Sequence, residues 1–102
     1  MDVKAIEHNV SVASRLLKSL SNEKRLLIIC TLYKGEKSVG ELEQIIGLSQ
    51  SALSQHLAKL RRENVVTTRR VAQTIYYSVL DEAVSVLLEA LHDVYCNDED
   101  KA

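Results

Sequence analysis

Proline is absent from the 102 residues, glycine occurs three times and cysteine twice, and no apolar run is longer than Leu26 to Cys30. Each scarcity excludes something. A membrane-spanning helix needs roughly 18 apolar residues in succession, so none is expected. Cys30 and Cys96 stand far apart with no CxxC, which leaves no material for a zinc ribbon or a disulfide framework. The opening MDVKAIEHN mixes acid, base and amide where a secretory leader needs a basic and then an apolar stretch. The expectation is a soluble protein of the reducing cytoplasm. A net charge of −1 also excludes a uniformly basic nucleic-acid coat, so any such contact must use a local patch. What is present, 46% hydrophobic residues in a chain of this length, suffices for one compact domain. We assign that domain to residues 1–96 and read 97–102, NDEDKA, as an acidic flexible tail.

Helical spacing organises most of the chain. From Val3 to Leu20, Ile6, Val10, Ala13, Leu16, Leu17 and Leu20 recur on one face, which predicts a single amphipathic helix. Ser21 or Asn22 can cap a second helix, EKRLLIICTLY, whose apolar segment predicts burial on most sides before Gly35 ends it. Ser38 with Glu41 three residues later has capping-box spacing. The short helix that follows points Leu42, Ile45 and Ile46 inward and stops at Gly47. Ser49 caps a fourth helix anchored by Leu53, Leu57 and Leu60, and Asn64 suits the left-handed position that closes it. The segments Val65 to Val71 and Thr74 to Leu80, rich in β-branched residues and tyrosine, predict a hairpin. Ala72 and Gln73 between them offer no residue suited to a tight primed turn, so an open loop is expected. Asp81 caps a last helix carrying Val84, Leu87, Leu88, Leu91, Val94 and Tyr95 and reaching Cys96. The fold class is mainly α with a small β-hairpin wing, in the order α-α-α-α-β-β-α.

Two short capped helices joined by Gly47-Leu48-Ser49 match a helix-turn-helix, in which the second helix enters the major groove of duplex DNA. Gln50, Ser51, Ser54 and Gln55 are the candidate base readers, since glutamine can pair bidentately with adenine and serine can donate or accept at base edges. Ser49 joins them at the cap, while His56 is a helix-packing or phosphate-contacting residue. Between Lys59 and Gln73, five bases (Lys59, Arg61, Arg62, Arg69, Arg70) face one acid, Glu63. That local +4 leaves −5 for the remainder, the footprint expected of phosphate contact by helix and wing together. Gln73 stands at the wing tip. One such unit makes few contacts, so pairing across two half-sites of an imperfect palindrome is expected, through a homodimer built on the first and last helices. The other reading of those apolar stripes is closure of the monomer's own core.

SLSNEKRLLIICTL, SVGELEQIIGLSQSALSQHLAKLRRENVV and RRVAQTIYYSV strongly resemble ArsR/SmtB-family winged-helix repressors over essentially the whole chain. Cys30 in the second helix and Cys96 in the closing LHDVYC resemble the sulfide- and persulfide-responsive BigR/SqrR/YgaV/HlyU-type group. The resemblance implies a homodimeric DNA-binding regulator whose Cys30 and Cys96 sense reactive sulfur species, forming a disulfide or polysulfide bridge that releases DNA. Asn64 and the Val71-Ala72 wing tip stand where many relatives have glycine. The Cys-x-Cys of metal-sensing branches is replaced here by GELEQI, without a thiol.

The residues alone leave the thiols open: one core and one surface thiol fits as well as a sensor pair. Cys30 lies in an apolar segment and Cys96 closes a helix beside acids, neither an evident site for a reactive thiolate. His92 and Cys96, at i and i+4, can also supply two ligands of a metal site with Cys30 a third, which makes a metal-responsive repressor the alternative. A winged-helix protein-interaction module is another. No phosphate-cradling glycine loop, HExxH or Ser/His/Asp frame is present, so the expectation is no enzymatic activity and no cofactor.

Overall fold

A computed structural model of the chain describes residues 1–96; the expected acidic tail lies outside the described residues. Nine elements follow one another: α1 (Val3–Glu7), α2 (Val10–Leu20), α3 (Glu23–Tyr33), β1 (Lys37–Ser38), α4 (Val39–Ile46), α5 (Gln50–Arg62), β2 (Val66–Val71), β3 (Thr74–Val79) and α6 (Glu82–Tyr95). This is the winged helix-turn-helix expected from the sequence. Among the described residues no helix is long and apolar enough to cross a membrane.

Two elements differ from the sequence reading. The first helix is broken at His8 and Asn9, where Asn9 leaves helical geometry (φ −112°, ψ 9°) although the apolar spacing continues across the break. Asn9 makes no side-chain cap hydrogen bond; its N–H donates to the Ile6 carbonyl and its carbonyl accepts from the Ala13 N–H, so a backbone turn joins the two helices. The second difference is β1, a two-residue strand that pairs with β3 through Lys37–Tyr77 and Ser38–Tyr76 and makes a three-stranded antiparallel sheet in the order β1-β3-β2. Ser38 therefore ends a strand and caps a helix at once.

The expected caps are formed. The Ser38 hydroxyl accepts from the Glu41 N–H, and the Glu41 carboxylate accepts from the Ser38 N–H, completing the capping box. That backbone hydrogen bond is also the main reason the Glu41 carboxyl lies below its ordinary value. Gly47 closes α4 in the left-handed region (φ 82°), and Asn64 closes α5 there as well (φ 60°). Asn22, Ser49 and Asp81 cap α3, α5 and α6.

The wing turn corrects the expected open loop. Val71 pairs directly with Thr74, so Ala72 and Gln73 form a two-residue connection, and Ala72 takes φ 56°. A positive φ at the first loop position is what a tight hairpin requires. The chain adopts it with alanine, because six paired residues on each side hold the strand ends together.

The core lies where α3, α4, α5, the sheet and the first half of α6 meet. Ile28, Ile29, Leu42, Leu53, Leu57, Leu60 and Val84 have no exposed surface, and each large side chain so buried contributes roughly 1.5–3 kcal/mol of transfer free energy. Apolar residues on a helical stripe are not all buried. Ile45 is exposed on α4, and α3 buries Ile28, Ile29 and Leu32 while presenting Leu27, Cys30 and Tyr33 outward. Along α6 only Val84 and Leu88 are buried, whereas Leu91, Val94 and Tyr95 are exposed. The helical period places these residues correctly on a stripe; the core ends before the stripe does.

Candidate nucleic-acid interface and thiol pair

Three zero-exposure leucines fix which side of α5 faces water. With Leu53, Leu57 and Leu60 locked inward, about 100° per residue places Ser51, Gln55, Ala58 and Arg62 along the line directly opposite. All four are exposed, as are Gln50, Ser54, Lys59 and Arg61 around them. Ser49 commits its hydroxyl to the Ala52 N–H, at 3.1 Å, so its role in the structure is the cap. His56 is half-buried on the flank of the leucine stripe, away from the outward line.

The wing divides its two arginines. Cross-strand partners share a face, so Val66, Thr68 and Arg70 lie with Val79, Tyr77 and Ile75, while Thr67 and Arg69 lie with Ser78 and Tyr76 on the other side. Tyr77 and Val79 pack on the core, which identifies the first face as the one turned toward α5. A shallow groove between helix and wing is lined by Ser54, Ala58, Arg61, Arg62, Asn64 and Tyr77. Arg70 extends from that same face toward the tip and, like Gln73, is exposed.

Arg69 is engaged elsewhere. It donates from Nε and from Nη2 to the two carboxylate oxygens of Glu36, each at 2.7 Å, and its guanidinium lies 5.3 Å from the centre of the Tyr76 ring. The pairing holds the Glu36 carboxyl below its ordinary value and raises Arg69. The count of five bases along the sequence therefore overstates the free positive charge of the wing: Glu36, thirty-three positions upstream, neutralises one of them.

A second groove flanks α5 on its other side, between α2, α5 and the start of α6, with a volume of about 1120 Å³. Lys59 and Arg62 line it together with Arg15, Lys18 and Arg25. Sequence reasoning misses the last three, because they are scattered over α2 and α3 and join the Lys59–Arg62 cluster only in space.

The thiols sit on α3 and at the end of α6. Neither is in a disulfide; Cys30 is exposed and Cys96 half-buried, so Cys30 is not the core thiol that its apolar segment predicts. The Cys30 thiol is pushed above its ordinary 9.0, first by partial desolvation and then by the charge of nearby Cys96, with Lys34 acting in the opposite sense. The influence of Cys96 on Cys30 brings together residues 66 apart in sequence. Beside them the Tyr33 hydroxyl donates to Glu89 at 2.7 Å, tying α3 to α6 and raising the tyrosine. The metal alternative is not assembled: among the described residues no group of three or more His, Cys, Asp or Glu side chains could hold a metal ion.

A capped two-helix unit with an exposed polar second helix, followed by a hairpin that carries Arg70 on the face turned toward that helix, defines a winged-helix DNA-binding protein. Residues 22–68 match the arsR family of bacterial regulatory proteins. The chain is similar to the transcriptional activator HlyU of Vibrio cholerae, with 49% identity over 96 residues covering 94% of this chain and 89% of that one. It is also similar to the nodulation protein NolR of Rhizobium meliloti, at 53% identity over 92 residues, 90% of this chain and 75% of the relative. Among solved structures, that of the transcriptional repressor BigR from Xylella fastidiosa superposes with a TM-score of 0.89 at 42% identity, over 94% of this chain and 98% of that one. The chain belongs to the arsR family of bacterial transcriptional regulators.

Proposed function

We propose that this regulator is a homodimeric, sequence-specific repressor that releases its operator when reactive sulfur species or oxidants join Cys30 to Cys96. The observation that carries the DNA-reading half is the uninterrupted outward line of Ser51, Gln55, Ala58 and Arg62 on a helix anchored by three fully buried leucines. Short side chains let the helix backbone approach the groove floor, glutamine reads a base edge, and arginine meets phosphate. The exposure of Val3, Ile6, Val10, Val12 and Leu17 on α1 and α2, and of Val86, Leu91, Val94 and Tyr95 on α6, supports dimerisation through these helices. A twofold axis then presents two α5 helices to successive turns of duplex, so the operator is an imperfect palindrome.

The nearness of Cys96 that its effect on Cys30 reports supports the sensing half. One thiolate attacks a sulfane sulfur of a polysulfide, forming a persulfide and expelling the shortened polysulfide anion. The other thiol, losing its proton to solvent, attacks the cysteine sulfur of that persulfide and expels hydrosulfide. Two thiols are oxidised, and the sulfane sulfur is reduced. The resulting bridge ties α3 to α6, the helix that also carries the proposed dimer face, and so biases the dimer away from its DNA-competent geometry.

The test is duplex affinity before and after polysulfide treatment, with the modification followed by mass spectrometry. Treated protein is expected to lose two protons' mass per chain, or to gain bridging sulfur, and to release DNA; Cys30→Ser is expected to bind DNA when reduced and to ignore polysulfide. A Cys30→Ser protein that still lets go on treatment contradicts the sensing half alone.

A further inference from the structure

We infer that the groove between α2 and α5 binds the sugar–phosphate backbone of duplex DNA on the side of the recognition helix away from the wing. The inference rests on the DNA-binding reading and adds Arg15, Lys18 and Arg25 to its contacts.

Charge and its lack of compensation point to an anionic occupant. Five cations line the groove against two acids, Glu63 and Asp81. Both acids are already occupied by the fold: Glu63 accepts from the buried Ser19 hydroxyl, and Asp81 caps α6 through the Ala83 N–H at 2.8 Å. None of the five cations is ion-paired among the described residues. Arg25 goes further, since its Nε is buried without a hydrogen-bond partner among them. Apolar wall residues such as Leu16 and Val65 lower the local dielectric, which strengthens the field of the unpaired charges.

Continuity with α5 makes the anion a phosphodiester of the same duplex. Arg62 lies on the outward line of α5 and lines this groove and the helix–wing groove alike, so the helix is a ridge between two basic depressions. A helix about 10–12 Å across fills a major groove about 12 Å wide, which leaves one phosphate wall on each flank. Arg61 and Arg70 serve the wall on the wing side. Lys59, Lys18 and Arg15 serve the other.

The experiment measures binding to a random-sequence duplex across a salt series, comparing wild type with the double variant Arg15→Gln/Lys18→Gln; both positions are exposed on α2. Each phosphate that the protein no longer neutralises makes the slope of log K against log salt shallower by about 0.9. The variant is expected to be shallower by about 1.8 per protomer, and so by about 3.6 for the dimer, to bind roughly tenfold or more weakly at ~0.1 M salt, and to melt at the wild-type temperature. Lys4→Gln, outside the groove, is expected to keep the wild-type slope. An unchanged slope in the double variant overturns the inference, as does a Lys4→Gln slope reduced by as much per charge. Titration with inorganic phosphate separates the sources. Saturable phosphate binding that the double variant loses while its DNA slope stays put assigns the groove to a free anion and overturns the duplex assignment. Wild-type protein with no salt-dependent duplex affinity rejects the DNA-binding reading itself, a distinct result.

Discussion

Glu36 holds Arg69 with two hydrogen bonds of 2.7 Å, one to each carboxylate oxygen, and Tyr76 supports the guanidinium from below at 5.3 Å. Glu36 sits in the turn that follows α3, the helix bearing Cys30, while Arg69 belongs to the wing. The pair therefore fastens the wing to the end of the thiol-bearing helix, and Arg69 acts in the free protein as a brace.

The brace has a defined pH window. The Glu36 carboxyl lies below its ordinary 4.5 in the folded chain, so the stabilisation it provides is complete above about that value and disappears as pH falls through the depressed folded value. Carbon-13 NMR of the Glu36 carboxyl is expected to show a midpoint below 4.5 in the wild type, returning to the ordinary value in Arg69→Gln. A wild-type midpoint at or above the ordinary value means that the pair does not form in solution.

The thiols offer a kinetic test. Because desolvation, Cys96 and Lys34 act on Cys30 in that order, its thiolate fraction at neutral pH is small, and alkylation by iodoacetamide is expected to accelerate with pH up to and beyond 9.0. Removing the upward influence in Cys96→Ser shifts the rate profile to lower pH; removing the downward one in Lys34→Ala shifts it to higher pH. Identical profiles in all three proteins would place the two sulfurs out of each other's range.

At the wing tip, alanine occupies a conformation better suited to glycine. Left-handed backbone costs an L-residue roughly 1–2 kcal/mol, while the extra freedom of glycine in the unfolded chain offsets only about 0.4–1 kcal/mol of that. Ala72→Gly is therefore expected to stabilise the protein, by up to about 1.6 kcal/mol in urea denaturation. Ala72→Val, β-branched at the same positive φ, is expected to destabilise it. A glycine variant less stable than wild type contradicts the turn geometry.

Local signals were legible in the sequence because their causes are local. Ser38 and Glu41 form a capping box within one turn, Gly47 and Asn64 end helices by their own backbone preferences, and the Leu53-Leu57-Leu60 spacing fixes the outward side of α5. Relationships between distant residues were not legible. The strand β1 exists because β3 offers Lys37 and Ser38 a free edge, the tight turn at Ala72 follows from strand pairing, and Arg69 meets Glu36 across the sheet. The cationic groove needs α2 beside α5 before Arg15 and Lys18 add to Lys59 and Arg62. Apolar periodicity likewise assigned Ile45 to the interior, since a stripe records which side is apolar and not how far the core extends.

Selection of duplexes from a randomised pool addresses base reading by α5 most directly. Wild-type protein is expected to enrich a palindrome whose half-sites lie about 10–10.5 base pairs apart, centre to centre. Gln55→Ala is expected to retain affinity for random duplex while forfeiting roughly 1–3 kcal/mol of discrimination at one base pair in each half-site. No enriched sequence with wild type, or an identical site chosen by both proteins, contradicts the assignment of the outward face of α5 as the reading surface.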